Sequence, residues 1–278
     1  MVTRAPAKLN LCLYLGPVRD DGLHELRSLF CPLTLSDRVE VGSAEVDEVI
    51  CPGIEGPNLA SAALDAMRAR GWRSPPLRIE IEKRIPLAAG LGGGSADAAA
   101  VLRLARGELA ELERVAAGIG ADVPSQLDPS FALVSGAGEV VEPLPVPGEF
   151  AVVLIPFDRG LSAGGVYAEA DRSGLGRGLA VLGEIERRLR AATARGASPL
   201  DYVELLVNDL QGAALSLMPE IAEALGALEE AGADAALVTG SGPTAVGLFP
   251  DIVAADRAAG ELPPRYANAI VSGPARLG

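Results

Sequence analysis

Histidine is almost missing from this chain. His24 is the only one in 278 residues, which excludes multi-histidine metal sites outright. Cysteine is scarce too: Cys12, Cys31 and Cys51 are widely spaced and form no Cys-x-x-Cys, so neither a zinc knuckle nor a disulfide framework is suggested. They read as small buried apolar residues. No apolar run reaches the roughly 18 residues that a membrane span needs, and the N-terminus lacks a signal-peptide core. The expectation is a cytoplasmic protein with no membrane partner. Basic residues are outnumbered, 24 against 37 acidic, and the formal net charge of −13 also disfavours nucleic acid as a partner. An anionic small molecule is not disfavoured. Bulk charge is screened beyond about 8 Å at physiological salt, so a few local cations, a helix dipole and a metal ion can dominate one cleft. No Walker A lysine or protein-kinase His-Arg-Asp is found, and the corresponding kinase classes lose support.

What is present is a 49% hydrophobic chain, long enough for one large domain or two ordinary ones. Its centre is Pro86-Leu87-Ala88-Ala89-Gly90-Leu91-Gly92-Gly93-Gly94-Ser95-Ala96-Asp97-Ala98. Upstream, Leu77, Ile79 and Ile81 alternate with charged residues, the two-residue period of a half-buried strand. Downstream, Ala98, Val101, Leu102 and Ala105 recur at helical spacing, so the glycines lie at a helix N-terminus. Backbone N–H groups there can close around phosphate oxygens, and the first helical turn favours negative charge. A Gly/Ala-rich turn can also be nothing more than tight packing, and the stretch alone leaves both readings open.

Elsewhere the pattern alternates between strand and helix. Leu9, Leu11, Leu13 and Leu15 mark a strand whose opposite face carries Lys8 and Asn10, their Cα atoms roughly 7 Å apart. Those two can address one ligand, or Lys8 can be a solvated edge lysine. Asp20-Asp21-Gly22 signals a turn, and His24 sits where it meets the next strand, either as a structural side chain or a functional one. Asn58 is a plausible N-cap for a helix from Leu59 to about Arg70. A second helix, Glu108 to Ala117, leads to Gly120-Ala121-Asp122-Val123-Pro124, where Asp122 is either a cap or a functional carboxylate. Strands are predicted at Ala151 to Ile155, Ala235 to Val238 and Ala245 to Phe249, and a short helix from Ser162 to Asp171 carries Tyr167. Asn208 is placed to cap the helix that carries Ala213 onward. Thr239-Gly240-Ser241-Gly242-Pro243-Thr244 is a second glycine turn.

Together Pro6-Ala7-Lys8-Leu9-Asn10, Asp21-Gly22-Leu23-His24, Gly90 to Ser95, Gly120 to Pro124 and Thr239 to Thr244 resemble, in order and spacing, the motifs of the GHMP kinases. This superfamily includes galactokinase, homoserine kinase, mevalonate kinase and phosphomevalonate kinase. The resemblance implies an α+β, two-domain fold with the active site in the cleft between the domains. The expected N-terminal domain spans residues 1–148, with the ATP loop and the catalytic residues, and the C-terminal domain spans 149–278. It further implies transfer of the ATP γ-phosphoryl group to the 2-hydroxyl of 4-diphosphocytidyl-2-C-methyl-D-erythritol, a step of the non-mevalonate isoprenoid route.

In that reading Asp122 is the general base and Lys8 the cation that holds it ionised. Asn58, Lys83, Pro86, Gly90, Leu91, Gly92, Gly93, Gly94, Ser95 and Ala96 correspond to ATP-binding positions. Asn10, Leu23, His24, Tyr167, Gly240, Ser241 and Gly242 correspond to positions around the substrate, with His24 on the cytosine edge and Tyr167 stacked on the base. Mg²⁺ is expected to be held mainly by ATP phosphates, without a dedicated protein site, and a homodimer is left open.

Two departures stand out. Leu23 replaces the usual aromatic, which makes the base sandwich one-sided, and Ala96 replaces a common second serine. The competing readings are a mevalonate-type or homoserine kinase, which would have no base for His24 and Tyr167 to bind, a dinucleotide-binding oxidoreductase and a nucleotide-sensing scaffold. The oxidoreductase lacks the third fingerprint glycine, and the scaffold would leave Asp122 idle.

Overall fold

The computed structural model describes residues 1–54, 56 and 58–275. The chain opens on two long strands, β1 (Val2–Val18) and β2 (His24–Ser43). They are separated by the predicted turn, in which Gly22 takes a φ of 79°. Strand β3 (Glu48–Ile50), helix α1 (Leu59–Ala69) and strand β4 (Leu77–Glu82) follow. Next come α2 (Gly93–Leu102), α3 (Leu112–Ile119) and α4 (Val123–Leu127). A hairpin of β5 (Ala132–Gly136) and β6 (Val140–Pro143) precedes β7 (Ala151–Ile155). Four helices then run in succession, α5 (Ala163–Arg172), α6 (Leu179–Thr193), α7 (Gln211–Leu217) and α8 (Glu220–Glu230). The last elements are β8 (Ala235–Val238), β9 (Ala245–Phe249), α9 (Ile252–Glu261) and β10 (Ile270–Ser272). This is an α+β chain, as the resemblance implies.

Two compact units are formed by interleaved segments. The first comprises Met1–Ala7, Leu35–Pro86 and Gly92–Pro129, the second Lys8–Thr34, Leu87–Leu91 and Ser130–Gly278.

In the first unit, β4 pairs antiparallel with residues Arg38 to Ser43 of β2 and parallel with β3. Val39, Ile79 and Ile81 turn their apolar side chains into a core completed by Ala63 and Met67 of α1 and by α2. Asn58 caps α1 as predicted. Its Oδ1 accepts from the Ser61 N–H at 3.0 Å while Ser61 Oγ accepts from the Asn58 N–H at 3.0 Å, a reciprocal capping box. Helix α2 departs from the one-sided pattern predicted for it, because every residue from Ala96 to Leu102 is buried. Its alanines make this feasible, since small side chains let neighbouring helices and strands approach on all sides.

The second unit carries an antiparallel sheet in the order β10-β7-β9-β8. Strands β7, β8 and β9 have the predicted bounds, and the register Val238↔Ala245 leaves Thr239 to Thr244 as the connecting loop. Val153, Ile155, Val238 and Phe249 pack with Leu210, Ile221 and Leu228. A smaller cluster joins Leu26 and Phe30 of β2 to Ala132 and Val134 of β5. Helix α9 carries no apolar stripe strong enough to be read beforehand, because alanines at 255 and 258 form its buried side. All three cysteines are buried, and burial pushes the Cys12 and Cys31 thiols up to about 12, which keeps them unreactive.

Candidate active site

Lys8 and Asn10 of β1, Gly90 and Leu91 of the first glycine turn, and the second glycine turn converge within the second unit. Alternation along β1 does place Lys8 and Asn10 on one face, and that face is not solvated: Lys8 is 6% exposed and Asn10 2%. Lys8 Nζ donates to Asn10 Oδ1 at 2.5 Å and lies 4.8 Å from the centre of the Phe30 ring. A buried ammonium needs such partners, a carbonyl oxygen and an aromatic face, to offset lost hydration. Asn10 is itself held on every side. Its Nδ2 donates to Ser28 Oγ at 2.8 Å, Ser28 Oγ donates to the Cys12 carbonyl, and the Asn10 N–H donates to Thr239 Oγ1 at 2.9 Å.

The two glycine turns meet at this point. Gly90 has a φ of 76°, and a β-carbon there would stand 2.6 Å from the Thr239 carbonyl oxygen and 2.9 Å from that of Gly242. At Gly240, φ 58°, a β-carbon would stand 3.0 Å from Asn10 Oδ1, 3.2 Å from the Gly90 carbonyl oxygen and 3.5 Å from Lys8 Nζ. Only glycine allows this approach of backbone to backbone. The Lys8 N–H donates to the Leu91 carbonyl at 2.9 Å, which ties β1 to the first turn. Asn208 does the same for the second. Rather than starting α7, it accepts from the Leu210 N–H at 2.9 Å and donates from Nδ2 to the carbonyls of Val238 and Gly240, at 2.6 and 2.7 Å.

In the first unit, Gly92 is the N-cap of α2, with a φ of 68° and no side chain with which to cap. The first-turn amides, from Gly93 to Ser95, therefore have no side-chain acceptor at the cap position, and Gly94 faces solvent. Lys83 abuts this turn: a β-carbon at Gly93 would stand 3.3 Å from its Nζ. The ammonium donates to Asp97 Oδ2 at 2.6 Å and to Asp37 Oδ2, while Asp37 Oδ1 accepts from the N–H groups of Arg84 and Ile85 at 2.6 and 2.8 Å. Burial acts to lower the Lys83 pKa, but the two carboxylates outweigh it and the net shift is upward. Burial drives the Asp97 carboxyl the other way from its usual acidity, up to about 7, against the pull of Lys83. Asp97 Oδ1 is buried with no hydrogen-bond partner. Beside this cluster opens a concavity of about 450 Å³ lined by Arg38, Ile50, Pro52, Glu80, Ile81, Glu82 and Lys83.

Asp122, also in the first unit, stands at the N-cap position of α4 with helical φ and ψ and makes no capping bond with its side chain. Ser125 Oγ instead donates to its carbonyl at 2.8 Å. The side chain therefore does not cap α4. On the second unit, His24 Nε2 stands 2.7 Å from Asp171 Oδ1, and its ring centre is 5.2 Å from that of Tyr167 at an interplanar angle of 36°. Leu23 is half exposed, at 50%.

Ser28, Asp37, Asp97, Asp171 and Thr239 were not predicted as site residues. Only Asp97 carried a signal, an acid among alanines in a helix that follows a glycine turn. The others become partners through pairings between distant segments. Among the described residues no cluster of three or more His, Cys, Asp or Glu side chains is placed to hold a metal ion, and no helix is long and apolar enough to cross a membrane.

The chain matches two family models, the GHMP kinases N terminal domain over residues 58–136 and the GHMP kinases C terminal over residues 184–268. It is 44% identical over 273 residues to a 4-diphosphocytidyl-2-C-methyl-D-erythritol kinase of Anaeromyxobacter dehalogenans strain 2CP-C, with 93% of this chain and 84% of the relative covered. A crystal structure of 4-(cytidine 5'-diphospho)-2C-methyl-D-erythritol kinase superposes with a TM-score of 0.80 at 36% identity, covering 99% of this chain and 100% of the other. Homoserine kinase from Cytophaga hutchinsonii shares the fold, with a TM-score of 0.71 at 17% identity over 99% of this chain and 93% of the other.

Proposed function

This chain belongs to the GHMP kinases, and from that premise we infer that it transfers the γ-phosphoryl group of ATP to the 2-hydroxyl of 4-diphosphocytidyl-2-C-methyl-D-erythritol. The observation that carries this reading is likeness along nearly the whole chain to proteins named for that reaction. The homoserine kinase shares the fold at less than half that identity.

Phosphoryl transfer asks the protein for position and for charge compensation more than for covalent chemistry. The uncapped first turn of α2, with Gly93 and Gly94 lacking side chains, fits a phosphate chain: its amides would hold the oxygens and its dipole would favour their charge. Gly92, Ser95 and Ala96 complete that turn, and Leu91, Gly90 and Pro86 set its approach. Mg²⁺ would supply further neutralisation if bound with the ATP phosphates. Two of the three Lys83 donors are committed to Asp37 and Asp97, which leaves one for a nucleotide, and the concavity beside it has the volume for a base. Asn58 is assigned to the same adenine side.

Asp122 is the proposed base for the substrate hydroxyl. A carboxylate within hydrogen-bond reach of a hydroxyl takes its proton as phosphoryl transfer proceeds. Lys8 is the proposed cation that keeps Asp122 ionised and stabilises the developing alkoxide, with Asn10 and Phe30 fixing the direction of its ammonium. Gly240, Ser241 and Gly242 let substrate approach the same corner. On the base side, Tyr167 stacks on cytosine and His24 reads its edge, with Leu23 as an aliphatic cover.

The test is a substrate panel with purified protein, ATP and Mg²⁺. ADP release with the cytidyl compound, and none with mevalonate or homoserine, is expected. ADP release with homoserine or mevalonate alone would overturn the assignment.

A further inference from the structure

Asp171 joins His24 and Tyr167 on one side of the second unit. Tyr167 and Asp171 are four residues apart on α5 and so share one face of it, and both meet His24. The His24 side chain is 9% exposed, whereas that of Asp171 is 51% exposed. A carboxylate only accepts hydrogen bonds, so the 2.7 Å contact requires the proton on His24 Nε2. In a neutral imidazole the other nitrogen, Nδ1, is then a lone-pair acceptor. An acceptor beside an aromatic platform selects a base edge that offers an N–H. Set against position 4 of a pyrimidine, that acceptor pairs with the exocyclic amine of cytosine and opposes the carbonyl oxygen of uracil, whose own N–H lies at position 3.

We propose that Asp171 is a positioning residue that determines specificity: by accepting the Nε2 proton it locks His24 in the tautomer that takes cytidine diphosphates and rejects uridine diphosphates. This rests on the reading of the site as a cytidyl pocket. Asp171 touches no reacting atom, and the bond it makes replaces a free choice of tautomer with a fixed one.

Because His24 is the only histidine, the tautomer can be read directly. In the full chain labelled with ¹⁵N-histidine, near pH 8, one pair of ring-nitrogen signals is expected, with Nε2 protonated and Nδ1 bare. Asp171→Ala should shift both towards a tautomer mixture. CDP and UDP are then compared as inhibitors competitive with the cytidyl substrate. The wild type should favour CDP by roughly tenfold or more, a preference that Asp171→Ala largely loses and Asp171→Asn, which keeps an acceptor oxygen, partly restores. A wild-type signal from protonated Nδ1, or a CDP/UDP ratio unchanged by Asp171→Ala in an active enzyme, overturns the proposal alone. Absence of wild-type turnover with the cytidyl substrate overturns the pocket reading and this proposal with it.

Discussion

Lys8 and Asn10, two residues apart on β1, are joined by a 2.5 Å hydrogen bond from Nζ to Oδ1 in a place from which water is nearly excluded. Hydrogen bonds to charged groups are worth about 1.5–3 kcal/mol, and a buried ammonium that loses one of its acceptors re-orients. Asn10→Ala is therefore expected to lower kcat by roughly ten- to a hundredfold. Steady-state ADP release, with circular dichroism to confirm folding, measures it. An unchanged kcat would remove Asn10 from the positioning of Lys8.

Asp122 tests the base assignment. Its side chain does not cap α4, so replacing it costs the helix little. Asp122→Asn keeps the shape and removes the basic oxygen, and a general base contributes typically about 10²–10⁴-fold in rate. Turnover should fall by that amount while ATP still binds in a calorimetric titration. Loss of ATP binding together with the melting transition would point to a structural role instead.

The two glycines of the first turn separate fold from function. Gly90→Ala forces a β-carbon to within 2.6 Å of the Thr239 carbonyl at a φ of 76°, and the strain of about 1–3 kcal/mol should lower Tm by several degrees. Gly94 is different. Its β-carbon would meet only the Leu59 side chain, at 3.5 Å, in a helical backbone where alanine is favoured over glycine by about 1 kcal/mol. Gly94→Ala should leave Tm unchanged or raised and yet raise KM for ATP. Thermal melts and ATP titrations of the two variants side by side would distinguish the effects.

The Asp97 carboxyl gives a stability signature with a definite sign. Its pKa in the folded protein, about 7, lies above the ordinary carboxylate value near 3.8, mainly through burial. Between those values the native state binds more protons than the unfolded chain, so this group makes stability fall as pH rises from about 4 to about 7. Lys83 and Asp37 face it directly, and Cys51 lies close enough to feel all three charges. In Asp97→Asn the decline across that window should flatten. Urea midpoints measured at several pH values provide the check, and a variant as steep as the wild type would assign the slope to other groups.

Local chemistry made much of this protein legible in advance. Asn58 caps its helix because the side chain and the N–H groups it serves are neighbours, and β7, β8 and β9 have their expected limits because runs of valine, leucine and alanine bounded by turn residues leave few alternatives. Gly90, Gly92, Gly240 and Gly242 all take left-handed backbone at the turns where they were expected.

Tertiary structure alone decided what those pieces do to one another. Alternation along β1 indicates that Lys8 and Asn10 share a face, and it is silent on whether that face meets water. Burial followed from Phe30 and Ser28 on a second strand and from Thr239, 229 residues beyond Asn10. The same holds for Asp97, whose proton affinity is set by Lys83 and Asp37, and for His24, whose tautomer is set by an aspartate 147 residues away. Charge, hydration and hydrogen-bond direction depend on distances through space, and those distances exist only once segments far apart in the chain have packed.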